Sequence, residues 1–185
     1  MAPPLPATDA ADDTVNSGGP ALSRAASALI IVAVLGVSAA IGRRNAPDPS
    51  HPATRRWYKR LDKPSFTPPD AVFGAVWPVL ETGLAVGGYR LLRQPASTTR
   101  TGAVGLWLLN TAMVGGWTQL FFREKRLGAS AAASGAMVAT GAAYVATAAK
   151  VDRPAAAAAV PFVAWLGFAT LLAERIWRDN PGDGR

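Results

Sequence analysis

Five stretches of the chain are apolar for long enough to cross a membrane as helices, at roughly 25–41, 72–92, 103–122, 127–149 and 155–177. A helix rises about 1.5 Å per residue, so a run of about 20 residues matches the roughly 30 Å hydrocarbon layer. The alternative is five buried helices of a soluble bundle. That arrangement needs polar outer faces, and the first, fourth and fifth runs have few polar residues to supply them. The pattern predicts an all-α fold: an integral membrane bundle of five transmembrane helices within residues 21–180. Residues 1–20 are rich in Pro, Ala, Asp and Gly, have little to bury, and read as a disordered tail. Residues 181–185 read as a short C-terminal tail. Ser38-Ala39-Ala40 looks like a signal-peptide cleavage site. However, a long segment carrying Asp9, Asp12 and Asp13 precedes the first run, in place of a short basic one, so that run reads as a retained helix.

Composition narrows the function classes. Only 17% of the 185 residues are charged and 50% are hydrophobic, with a mean hydropathy of +0.16; a soluble domain carries about 25% charged residues. The absence of cysteine excludes disulfides, thiol nucleophiles, iron–sulfur clusters and Cys-type zinc sites, and the single histidine, His51, cannot build a His-rich metal site. No metal site is expected. The net charge of +7 would suggest nucleic acid in a soluble protein. Here the basic residues lie between apolar runs, so they read as membrane flanks, with lipid rather than nucleic acid as the partner. One side of the membrane collects Arg24, Arg90, Arg93, Arg100, Lys150 and Arg153. The other collects the remaining thirteen, seven of them between Arg43 and Lys63. The excess predicts a multi-pass cell-membrane protein with its first loop and C-terminus in the cytoplasm. Gly83 and Gly87 form a GxxxG, and the fourth run offers Ala, Gly or Ser at nearly every spacing. Small residues let helix backbones approach closely in lipid, which fits a tight bundle, a homodimer or both.

The most specific segment is Trp57–Glu81, WYKRLDKPSFTPPDAVFGAVWPVLE. Trp57 and Tyr58 are amphipathic aromatics beside a basic cluster, as at a membrane interface. Pro64, Pro68 and Pro69 forbid a continuous helix and stiffen the connection. Thr67 or Asp70 is suited to cap the helix beginning near Pro69. Phe73 and Trp77 are four apart and share one helix face. A stiff aromatic loop over a bundle mouth can serve as a lid on an apolar ligand.

This segment resembles the tryptophan-rich sensory protein family, also called the translocator protein, peripheral-type benzodiazepine receptor or TspO/MBR family. The pattern is a WY, a KP, then a PP followed by FGxxW: Trp57-Tyr58, Lys63-Pro64, Pro68-Pro69, Phe73-Gly74 and Trp77. WTQLFF at Trp117–Phe122 resembles the family's WSPLFF, and Val160–Asn180 resembles its VPYLxWxxFAxxLNxxxWRxN. The resemblance implies a five-helix membrane bundle, commonly dimeric, with an apolar pocket beneath the first loop. It implies binding of tetrapyrroles such as protoporphyrin IX as ligands rather than cofactors, and of benzodiazepine-type and isoquinoline compounds; animal members also bind cholesterol. Some bacterial members promote light-dependent protoporphyrin breakdown tied to tryptophans. By matching position, Trp57 is the loop tryptophan, Trp77 and Trp165 the pocket tryptophans, and Ala169 the small residue beside the ligand. Phe73 and Leu172 complete the implied wall. Trp57 and Trp165 are the candidates for any light-driven chemistry, while Trp107, Trp117 and Trp177 read as structural.

Five positions depart from the family. Its third-helix asparagine falls at Val114, with Asn110 one turn away. Its second-helix tyrosine becomes Glu81, beside Pro78. A mid-membrane carboxylate is costly, so Glu81 either hydrogen-bonds a neighbouring helix when protonated or contacts ligand or water in the pocket. Ala129 replaces a tryptophan. Glu174 and Arg175 stand where a cholesterol-recognition pattern needs tyrosine, so that pattern is not supported. A receptor or sensor that binds tetrapyrroles is the leading reading. A porphyrin transporter is the second, although no internal repeat divides five runs into halves. A porphyrin-degrading enzyme is the third, and no nucleophile–base pair, metal cluster or nucleotide loop supports conventional catalysis.

Overall fold

The computed structural model describes residues 19–182, so the expected N-terminal tail lies almost wholly outside the described residues, as does most of the C-terminal one. The described chain is helical without strands. Five long helices are α1 Arg24–Asn45, α3 Asp70–Leu92, α4 Thr98–Thr118, α5 Leu127–Ala149 and α6 Arg153–Asp179. A nine-residue helix, α2 Pro52–Arg60, lies in the first connection, and a π-helical turn, Gln119–Arg123, extends α4. Four helices, α1, α3, α5 and α6, are long and apolar enough to span a membrane. The start of α4, Thr-Thr-Arg-Thr, is polar, and that helix does not reach the same apolarity.

The caps follow local chemistry. Ser23, Ser97 and Asp152 each accept a backbone N–H in the first turn of α1, α4 and α6. The start of α3 departs from expectation. Pro69 occupies the cap and no side chain caps the helix. Thr67 Oγ1 instead donates to Pro64 O at 2.7 Å, closing the turn between the prolines.

Around the bundle α1 lies beside α4, α4 beside α5, α5 beside α6, and α6 beside α3, with α1 and α3 completing the ring through a thinner contact. The outer surface is apolar, with Leu29, Val32, Val37, Val79 and Leu171 all more than half exposed, which is the disposition a lipid solvent requires. The half of the bundle remote from α2 is solid. Gly83 and Gly87 bring α3 against the backbone of α6 at Ala158 and Ala155, and Gly87 also meets the Tyr144 ring of α5. The GxxxG is thus used within the bundle and is not a free face for a second copy. Trp107 is fully buried and its Nε1 donates to Leu84 O at 2.9 Å. At the far end Asp152 accepts from Arg90 Nε at 2.9 Å and Arg90 Nη2 at 3.0 Å, from Gln94 at 2.8 Å, and from Ala155 N at 2.8 Å. One carboxylate therefore caps α6 and pins it to the end of α3.

Candidate functional site

The half of the bundle beneath α2 is hollow. A cavity of about 610 Å³ lies among α1, α3, α4, α5 and α6, inside the range of small-molecule sites. Phe73 and Trp77 come from one face of α3, and Trp165, Ala169 and Leu172 from one face of α6. Trp117, Phe121 and Phe122 form the α4 side, and Tyr58 reaches in from α2. The walls are tied by ring contacts. Phe73 meets Trp165 at 5.8 Å between ring centroids, Trp165 meets Phe168 at 5.2 Å, and Trp117 stacks on Phe121 at 4.8 Å. Such pairs hold large flat side chains in fixed orientations.

Five of the six ligand-side residues expected from the sequence, Phe73, Trp77, Trp165, Ala169 and Leu172, line this cavity. Trp57 does not. Its indole is 3% exposed and lies behind the wall with Leu61, Phe121, Leu127 and Ile176. It meets Phe121 at 5.9 Å, and Lys125 Nζ sits 5.5 Å from its ring centroid. The physical reason is helix phase. Adjacent residues of α2 point about 100° apart, so Tyr58 enters the cavity and Trp57 packs α2 onto the bundle.

Trp117, expected to be structural, has two roles in the geometry. Its face lines the cavity, and its Nε1 donates to Ser130 O at 2.9 Å. Trp107 and Trp177 lie away from the cavity, one fully buried and the other facing outward. Val114 lines the cavity, whereas Asn110 is sealed between α4 and α5, donating to Leu106 O and accepting from Thr140 Oγ1 at 3.1 Å. Glu81 lines the cavity as well.

The roof is held just past the C-terminal end of α2. Lys63 Nζ donates to Tyr58 O and Leu61 O. Asn180, at the end of α6, donates to Asp62 O at 2.8 Å and accepts from Asp62 N at 2.9 Å. Burial first, with the Asp70 charge adding to it, pushes the Tyr58 hydroxyl up to about 12, so it is a neutral donor at any physiological pH. Among the described residues no His, Cys, Asp and Glu cluster suits a metal ion.

Apolar-faced helices of membrane length around a roofed aromatic cavity define a class, the helical membrane proteins with an internal ligand-sized chamber. The chain belongs to the TspO/MBR family, whose profile matches residues 27–178. It is 35% identical to the human translocator protein over 133 residues, covering 69% of this chain and 76% of that one. Against the sheep translocator protein it is 32% identical over the same shares. It is 29% identical to the protein CrtK of Rhodobacter capsulatus, over 69% of this chain and 80% of CrtK.

Proposed function

We propose that the protein is a membrane receptor or sensor that binds a tetrapyrrole, protoporphyrin IX being the reference ligand, in the chamber beneath α2. The observation that carries this reading is the wall itself. Trp77, Trp165, Trp117 and Phe73 surround a volume of about 610 Å³ in the half of the bundle that the first loop roofs. A planar macrocycle gains both apolar burial and aromatic stacking there. In this reading α4 is the fifth crossing helix, since it packs beside both α1 and α5 and, at 21 residues, is close to them in length. The first loop and the C-terminus are cytoplasmic, and the chain works as a homodimer in the cell membrane. Protoporphyrin is a ligand and not a cofactor.

The test is a tryptophan-quenching titration of the protein in lipid nanodiscs. Protoporphyrin IX is expected to bind with one site per chain. Trp77→Ala or Trp165→Ala should weaken binding by about 1–3 kcal/mol, the scale of a lost aromatic contact and its buried area. Unchanged affinity in both variants would remove the chamber as the site.

A second reading has its own support. Trp165 offers an oxidisable indole to the chamber, so light-driven loss of bound protoporphyrin is the alternative activity.

A further inference from the structure

The polar groups of the chamber can be audited one by one. Ser38 Oγ donates to Thr111 O, Ser134 Oγ to Ser130 O, Thr118 Oγ1 to Gly115 O, and Trp117 Nε1 to Ser130 O. These are spent on backbone carbonyls. Arg43, Asp48, Tyr58 and Asp70 lie at the loop end, on the last turn of α1, the loop after it, α2 and the first residue of α3. Asp48 is taken by Ser50 and His51. Trp165 Nε1 has no partner, but it is closed off from the open space of the chamber. One group deeper in remains unspent. The Glu81 carboxyl enters none of the ion pairs among the described residues and accepts no hydrogen bond there. Glu81 lies eleven residues into α3, about 16 Å along the helix from Asp70. Ser27, Trp57 and Tyr144 also keep an unpartnered buried atom, but none of them lines the chamber.

Buried polar groups without partners are costly, and an ionisable side chain at membrane depth ordinarily faces a partner or a cavity that uses it. We propose that Glu81 is a specificity-determining residue: the chamber favours a flat apolar ligand that carries a nitrogen donor, an amine or an N–H, directed at the Glu81 carboxyl. This rests on the chamber being the binding site. Arg43, on the last turn of α1, is the cationic residue among the described residues that line the chamber with Glu81. It forms no ion pair with Glu81, so the carboxyl stays available to the ligand. At the mouth the carboxylates of Asp48 and Asp70 stand with the cationic Arg43. Apart from the Tyr58 hydroxyl and the charged groups at the mouth, the remaining walls are apolar, aromatic or spent on backbone carbonyls.

The experiment compares two probes, an acridine bearing an amino group and the same ring bearing a methyl group in its place, on the full chain in nanodiscs, corrected for partition into empty nanodiscs. The wild type is expected to prefer the amine about tenfold or more, the scale of one charge-assisted hydrogen bond in a low-dielectric site. Glu81→Gln should cut the preference to about threefold or less, and Glu81→Leu should abolish it. Both variants should keep the methyl probe's affinity within about twofold, which reports an intact chamber. A preference that persists in Glu81→Leu overturns the assignment. So does an equal loss of both probes, since that marks a structural role. If protoporphyrin binds but the wild type shows no amine preference, this inference fails alone. If neither acridine nor protoporphyrin binds, the chamber reading fails with it.

Discussion

At the scale of single residues, the indoles of Trp77 and Trp165 line the chamber while that of Trp57 lies behind its wall. Phe73 with Trp77 and Trp165 with Ala169 are four apart, so each pair was bound to share a face once its helix existed. Trp57 and Tyr58 are neighbours, and choosing between them requires knowing that Pro52–Arg60 is a helix. The proline-rich stretch that follows masked that helix. The distinction has a photochemical consequence. Trp165→Phe should slow the light-dependent loss of bound protoporphyrin, measured by absorbance against a dark control, while Trp57→Phe should leave the rate unchanged because its indole lies behind the wall. Phenylalanine keeps most of the packing and removes the oxidisable ring, and affinity measured in parallel separates lost chemistry from lost binding. An equal rate in Trp165→Phe would leave the protein as a binder without photochemistry.

At the scale of elements, the α4 extension was not legible in the sequence. A period of 3.6 leaves Trp117 and Phe122 on different faces. The π turn carries Glu124 N to Gln119 O at 3.0 Å, an extra residue per turn, and swings Phe121 and Phe122 both into the chamber. The Asp152 staple was equally hidden, since it joins residues 62 positions apart. Its energetics are testable. The Arg90 hydrogen bond holds the Asp152 carboxyl below the usual carboxylate range. A carboxyl with a lowered folded pKa contributes stability above its unfolded value of about 3.9 and loses it as the pH falls through the folded value. Thermal melts in detergent should show this contribution intact at neutral pH and declining only below about pH 4. Asp152→Ala should cost about 1–2 kcal/mol at neutral pH, for the cap and the half-exposed ion pair together, and should flatten that acid dependence. A variant as stable as wild type at pH 7 would show the staple to be idle.

At the scale of the molecule, the alternation of apolar runs and basic connections was enough for the helix order, and the bounds of α5 matched the expected run. It was not enough for the distribution of empty space. Glycines of α3 close up on α6 in one half and aromatic rings meet around the cavity in the other, and which of these residues meet is decided by packing between segments far apart in the chain. The charge asymmetry makes an orientation prediction. Ser50→Cys, in the exposed first loop, should resist an impermeant thiol reagent in intact cells, and Thr99→Cys, exposed at the start of α4, should react. The reverse labelling would invert the topology. The absence of native cysteine leaves no background signal.

The latch between Asn180 and Asp62 also sets an order of events during synthesis. Its partners are 118 residues apart. A ribosome adding about 5–20 residues per second takes about 6–24 s to travel from one to the other. Throughout that interval the roof has emerged and its fastener has not. Trp165, Ala169 and Leu172 of the last helix are also the final wall of the chamber, so that wall and the fastener of the roof arrive together, only once α6 has been made.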